Sequence, residues 1–370
     1  MLDYFKINVI TITLLLFICV NLYAQQKTYT YQQPELTEDG WKTNSLNTHG
    51  YDVKIIKHLF DELLYAKAHK IHSMLVVKND ELLLEEYFDD YNKNTQHDLR
   101  STSKSIRSIL LGIALDKGFI ESIDDPISKY LKTLKPKKNL DKRKDSITIR
   151  HLITMSAGWD CNDWDKKSRG QEDRVYKKND WLQYTLDLPM KNDPGNLSTY
   201  CSMGVTLMTE IIVEASGIPI DVFANRFLFE PLGISNMGWT HTSKKTVISS
   251  SKRLSMTPRD MAKIGKLILQ KGMWNEQQIV SSEWLEEATT PKTKITGIDY
   301  GYLWWTIPFQ LKNGTTVNAK VATGNGGQYI MVFTEFNIIA VFTGGAYNSQ
   351  DDKIPFAIVK DVLLPTFTPD

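Results

Sequence analysis

The sequence pattern best suited to nucleophilic chemistry is a serine three residues ahead of a lysine. Ser101 and Lys104 stand in Arg100-Ser101-Thr102-Ser103-Lys104-Ser105-Ile106. On a helix this spacing puts both side chains on one face. A serine hydroxyl is a weak nucleophile and needs a base beside it. A neutral lysine serves as that base when burial and neighbouring charge lower its pKa from about 10.4. A helix N-terminus adds positive potential and free backbone N–H groups, which suit a developing oxyanion. The same pattern recurs at Ser249 and Lys252. Ser101 leads into the apolar run IRSILLGIAL, whereas Ser249 lies in a polar stretch soon interrupted by Pro258 and reads as loop. The alternative for Ser101 and Lys104 is a capping serine and a surface lysine.

Other catalytic patterns are missing from the sequence. No G-x-S-x-G elbow occurs. His69-x-x-His72 straddles an expected helix end and lacks a third clustered ligand, so no metal or other cofactor is expected. His151, ahead of Leu-Ile-Thr-Met, reads as a structural or capping histidine.

These residues need elements to hold them. Residues 51–68 carry Val53, Ile56, Phe60 and Leu63 at helical spacing. Ile71–Val77 and Leu82–Phe88 flank Lys78-Asn79-Asp80 as a strand pair. Residues 101–117 read as a strong helix closed by Gly118. Short helices are expected at Ile147–Met155 and Gly204–Ala215, the second ending at Gly217. Thr257 and Pro258 begin another helix, which runs to Leu269. After residue 298 strands return at Tyr302–Ile307, Tyr329–Thr334 and Ile338–Thr343, followed by a helix at Ile354–Leu363. The expected architecture is α/β of the α+β kind. Its antiparallel sheet is built from residues 25–125 and 291–370, and 126–290 form a mostly helical subdomain.

Several ordered stretches resemble the serine β-lactamase and penicillin-binding-protein superfamily, in its class C β-lactamase-related branch. They are Ser101 to Lys104, Ile147 to Gly158 (ITIRHLITMSAG), Asp193 to Gly204 (DPGNLSTYCSMG), Leu254 to Lys263 (LSMTPRDMAK) and Ala322 to Gln328 (ATGNGGQ). The resemblance spans roughly residues 50–365. It implies a β-lactamase/transpeptidase-like fold and a serine hydrolase of the esterase, peptidase or 6-aminohexanoate-oligomer hydrolase kind. It also implies roles. Ser101 attacks a carbonyl and forms an acyl-enzyme. Lys104 accepts its proton or keeps Tyr200 deprotonated, and Tyr200 acts as acid and base. The backbone N–H groups of Ser101 and Asn325 form the oxyanion hole. Ser202, Ala322, Gly324, Gly327 and Trp159 are expected near the substrate.

Two positions depart from the family pattern. Ser202 stands where many relatives carry asparagine. Ala322 stands where relatives that hydrolyse β-lactams carry lysine or histidine to bind a carboxylate. Alanine cannot do so, which points away from efficient β-lactam turnover and towards another ester or amide. Lys320 and Arg259 are the candidates for supplying that charge from elsewhere. Trp159, Trp164, Trp181, Trp304 and Trp305 are candidates for an aromatic binding wall or for ordinary packing. The alternative function is a weakly active or non-catalytic protein that binds or senses peptidoglycan.

Composition bounds the rest. The chain has 370 residues and a net charge of +1, so no nucleic-acid partner is expected. Its one basic run, Leu131 to Lys144 (LKTLKPKKNLDKRK), lacks interleaved aromatics and reads as a solvated loop. Lys6, the apolar stretch Ile7 to Val20 and then Ala24 make a signal-peptide pattern over 1–24. Cys19 follows Ile18 rather than a small residue, so cleavage after Ala24 is favoured over a lipid anchor. The expectation is export to the periplasm or outside the cell, with a membrane anchor if the leader stays uncleaved and no stable insertion of the mature chain. The substrate is expected to be a small molecule or a short peptide or oligomer. Cys161 and Cys201 would then remain as an even pair and are expected to form a disulfide.

Overall fold

Ile71–Lys78 and Glu81–Tyr87 pair antiparallel, as the sequence suggests. Asn79 and Asp80 close the turn between them at φ 50° and 68°, the left-handed geometry that suits a tight hairpin. They belong to a computed structural model that describes residues 28–65, 69–240, 249–311 and 313–368. The expected leader, 1–24, lies outside the described residues.

The hairpin sits in a nine-stranded sheet. Its order is Lys42–Thr43, Glu81–Tyr87, Ile71–Lys78, Ile338–Gly344, Gln328–Phe333, Thr316–Gly324, Trp305–Gln310, Ile298–Tyr300 and Thr293–Ile295. All neighbours run antiparallel except Lys42–Thr43, which lies parallel to Glu81–Tyr87. Strands from the two ends of the sequence meet where Ile71–Lys78 pairs with Ile338–Gly344. Gln328–Phe333 and Ile338–Gly344 are buried at every position. That is why they read as continuous apolar runs rather than alternating ones. Each fully buried Ile, Leu or Val contributes about 1.5–3 kcal/mol.

Helix Pro258–Leu269 packs onto these central strands. Gly265 permits the approach, since a Cβ there would lie 2.6 Å from Ile339. Thr257 caps this helix by accepting from the Asp260 N–H. The segment expected as a helical insertion therefore sends a helix back to the sheet. It also sends the strand Arg253–Met256, which pairs with His97–Asp98 and Met237–Thr240 in a second, three-stranded sheet.

Helix Thr102–Asp116 lies between the sheet and helix Ser202–Ser216. It ends at Lys117, with Gly118 beyond it at φ 71°. Helix Ser202–Ser216 ends on Gly217 in the left-handed conformation. His151 closes a capping box with Thr148 at the start of Ile149–Ile153. Among the described residues, no helix is long and apolar enough to cross a membrane.

Candidate active site

Ser101 occupies the N-cap position of helix Thr102–Asp116 but makes no side-chain capping bond. Its Oγ instead accepts a hydrogen bond from Lys104 Nζ at 2.7 Å. Lys104 is only 7% exposed. Neither a capping serine nor a surface lysine describes this pair. Arg100, just ahead, has φ 50°. Such a left-handed conformation is unfavourable for a side chain with a Cβ and persists only where its surroundings hold it. Here the Arg100 N–H donates to Asp98 Oδ1 at 3.0 Å and the Leu99 N–H donates to the Leu254 carbonyl at 3.0 Å. The second sheet thus sets the turn that presents Ser101.

The main sheet supplies the facing side. The Thr102 hydroxyl donates to the Gln328 carbonyl at 2.9 Å. At Gly324, a Cβ would lie 2.4 Å from the Leu99 carbonyl oxygen and 2.8 Å from Thr102 Oγ1. Only glycine lets the strand Thr316–Gly324 end this close to the helix start. Beyond it, Gly326 and Gly327 turn at φ 95° and 94°. The Asn325 side chain exchanges two hydrogen bonds with Asn348, each at 2.9 Å, which fixes the turn. Among the described residues, nothing accepts from the backbone N–H of Ser101 or of Asn325. Two free N–H groups flanking a serine hydroxyl can receive a negatively charged oxygen.

Tyr200 brings its ring to the lysine, with Lys104 Nζ 5.0 Å from the ring centroid. Ser202 turns elsewhere. Its hydroxyl and its N–H donate to Asp163 Oδ2 at 2.6 and 2.8 Å. Asp163 Oδ1 accepts from the Glu172 N–H at 3.1 Å, and the Asp163 N–H donates to the Tyr200 carbonyl at 2.8 Å. Burial pushes the Asp163 carboxyl up, with Glu172 adding to the rise and Lys104 opposing it. Asp163 is thus the half-buried acid of the Ser101–Lys104 surroundings, which sequence reasoning missed. Its neighbours Cys161 and Cys201 form the expected disulfide, with Cα atoms 5.4 Å apart.

Ser101, Lys104, Ser202 and Asn325 line one cleft of about 100 Å3, together with Arg107, Trp181 and Arg253. Trp164 stacks on Tyr200 at 4.9 Å between centroids, and Trp305 lies 6.0 Å from Tyr200. Trp164 is 54% exposed, so this stack offers an open aromatic wall. Trp304 is wholly buried in the core. Trp159 is buried too and bridges to Met190, where it lines a different cavity.

Ala322 is fully buried opposite Ile330, and neither of the two candidate cations stands in for the missing one. Lys320 pairs with Glu286 at 3.5 Å. Arg259 is locked between Glu85 and Asp39, at 2.5 and 2.9 Å. Lys252, from the rival Ser-x-x-Lys pattern, pairs with Asp221 at 2.5 Å. His69 packs edge-on against Phe88, and His72 stacks on Tyr91.

The Beta-lactamase family model matches residues 56–362. A relative from Alkalihalophilus pseudofirmus, named only as an uncharacterized protein, is 24% identical over 327 residues, 78% of this chain and 87% of its own. The 6-aminohexanoate-dimer hydrolase of Paenarthrobacter ureafaciens is 20% identical over 241 residues, 62% of this chain and 60% of that protein. Among solved structures, the octameric penicillin-binding protein homologue from Pyrococcus abyssi superposes with a TM-score of 0.61 at 18% identity, covering 85% of this chain and 79% of that one.

Proposed function

The chain belongs to the beta-lactamase family, and from that membership we propose that it is a serine hydrolase cleaving an ester or amide through a Ser101 acyl-enzyme. The observation that carries this reading is the buried Lys104 Nζ at 2.7 Å from Ser101 Oγ. In the proposed cycle, Lys104 takes the Ser101 proton as Oγ bonds to the substrate carbonyl carbon. The carbonyl oxygen becomes an oxyanion and accepts from the Ser101 and Asn325 N–H groups. The tetrahedral intermediate collapses, the bond to the leaving group breaks, and that group takes a proton through Lys104 and Tyr200. A water then repeats the sequence on the acyl-enzyme, returning Ser101 and releasing the acid.

The buried lysine also weighs against a non-catalytic binding protein. Burying a lysine side chain costs free energy, and a protein that merely retained the fold gains nothing from it. Ala322, with Lys320 and Arg259 engaged elsewhere, favours a substrate other than a β-lactam.

Incubation with a fluorophosphonate probe and short p-nitrophenyl esters, beside Ser101→Ala and Lys104→Ala, tests the reading. Labelling and turnover should both require Ser101, and Lys104→Ala should cost at least about 10³-fold in kcat, as the loss of an acid–base partner does. Absence of labelling and of Ser101-dependent turnover would defeat it. Intact mass after exposure to a penicillin should show no stable adduct.

A further inference from the structure

The basic run 131–144 is largely exposed loop, as expected, but it is not loose. It is bent into a roof and pinned to the end of helix Trp181–Leu186. Asp187 Oδ1 accepts from the Lys137 and Lys138 N–H groups at 2.6 and 2.9 Å. Asn139 Nδ2 donates to the Asp187 carbonyl at 2.7 Å, and Gln183 Nε2 to the Lys135 carbonyl at 2.9 Å. Lys144 is buried and donates its ammonium to the Leu186 carbonyl at 2.7 Å.

Under this roof lies a cavity of about 520 Å3, separate from the cleft at Ser101. Leu131, Leu134, Leu140, Ile147, Leu186 and Trp159 form its apolar wall. The size falls within the range of small-molecule sites, about 300–1,000 Å3. Leu140 stands at the surface, 77% exposed. Water hydrates such walls poorly, and an alkyl chain replaces it favourably.

The charged lining leans positive, with Lys135, Lys142 and Lys144 against Asp141 and Asp145. Lys135 and Lys142 line the cavity and form no ion pair among the described residues. Of the acids on the lining, Asp141 is held by Arg143 at 2.7 Å, leaving Asp145. Lys132, Lys137 and Lys138 lie on the same segment. No aromatic residue occurs in 131–144 to stack a base, which argues against nucleic acid. An apolar chamber with a lysine-rich rim fits an amphiphile with an anionic head.

We propose that this cavity binds an aliphatic carboxylate of medium chain length, with the alkyl chain against Leu131, Leu134 and Leu186 and the carboxylate at Lys135 and Lys142. The site does not depend on the hydrolase reading.

Isothermal titration of the full chain with decanoate tests it, with decanol and anionic phospholipid vesicles as separate arms. Decanoate should bind one to one. Decanol should bind at least about tenfold more weakly, as should decanoate to a Lys135→Glu/Lys142→Glu variant, the scale of one charge-assisted contact. Leu140→Asp, at an exposed position that leaves the core intact, should abolish binding, and Leu134→Asp should do the same. No binding of decanoate overturns the proposal, and so does binding of vesicles alone. Binding that survives both leucine variants would locate the ligand in the cleft at Ser101 instead and overturn it too.

Discussion

Ser202 gives both its hydroxyl and its backbone N–H to a single oxygen of Asp163, at 2.6 and 2.8 Å. The stretch Tyr200-Cys201-Ser202 therefore faces a half-buried carboxylate, which interacts electrostatically with Lys104 across the site. Asp163→Asn should lower kcat/KM by about 10- to 100-fold, the scale of one hydrogen-bonded charge. Because burial raises the Asp163 pKa, the acid limb of the wild-type profile should lie above the ordinary carboxylate range. The variant should lack that limb. Profiles of kcat/KM between pH 4 and 8 that coincide in shape would sink the assignment.

Gly324→Ala would push a methyl group into the Leu99 carbonyl at 2.4 Å. The strand end must then retreat from the helix start and carry the Asn325 N–H with it. The expected loss in kcat is about 10²- to 10³-fold, as for an oxyanion donor. The stability cost should be about 1–3 kcal/mol, typical of overpacking. Steady-state kinetics beside urea unfolding separate the two effects. Full activity in a folded Gly324→Ala protein would exclude Asn325 from the oxyanion site.

The Cys161–Cys201 disulfide closes a loop of sequence separation 40. The chain-entropy estimate for such a loop is about 4 kcal/mol. Reduction, or Cys161→Ser/Cys201→Ser, should lower the unfolding free energy by up to that amount. Because the bond also ties Asp163 to Tyr200 and Ser202, kcat should fall well below the melting temperature. Unchanged kinetics in the reduced, folded protein would show that the bond is purely a stabiliser.

Glu86 gives a pH-dependent stability prediction. Burial raises its carboxyl to about 7, against the pull of a hydrogen bond from the Tyr29 hydroxyl. The folded chain then holds a proton that the unfolded chain releases near the ordinary glutamate value of about 4.3. Stability is therefore greatest below that value and falls as pH rises towards 7, by roughly 1–3 kcal/mol after allowance for partial exposure. Glu86→Gln should flatten this slope. Chemical denaturation at pH 4.5, 6 and 7.5 measures it, and parallel slopes for both proteins would refute it.

Much of the site was legible because its parts are local. Ser101 and Lys104 share one helix turn, so their meeting needs only the helix to form. Gly324 and Gly327 were placed near the substrate by the resemblance alone, and the structure shows the close approach that Gly324 permits. Asp163 was not legible. It meets Lys104 through a disulfide-tied loop, and nothing in its local sequence sets it apart from other surface acids. Neighbouring tryptophans were likewise beyond reach. Trp304 and Trp305 alternate across a strand start, so one enters the core and the other joins the aromatic wall.

The sheet was read well where burial makes strands uniformly apolar, as at Ile338–Gly344. It was missed at Thr316–Gly324, the strand that carries the candidate oxyanion turn. That strand contains Asn318, Ala319, Lys320 and Gly324, residue types that disfavour strands in isolation. Its place between two neighbours overrides the local preference. The same topology decided the fate of the spare cations. Arg259 sits on a helix that packs onto the sheet, and its ion pairs with Glu85 and Asp39 are set by that packing.

The hydrogen bond from Thr102 to the Gln328 carbonyl joins residues 226 positions apart. A ribosome adding about 5–20 residues per second needs roughly 10–45 seconds to cover that distance. Throughout that interval the nascent chain carries Ser101 and Lys104 but no Asn325 to complete the oxyanion pair. On the proposed mechanism, a chain that stalls or is clipped before residue 325 should be hydrolytically silent. Its reactivity would then wait on the late synthesis of the strand end that carries Asn325.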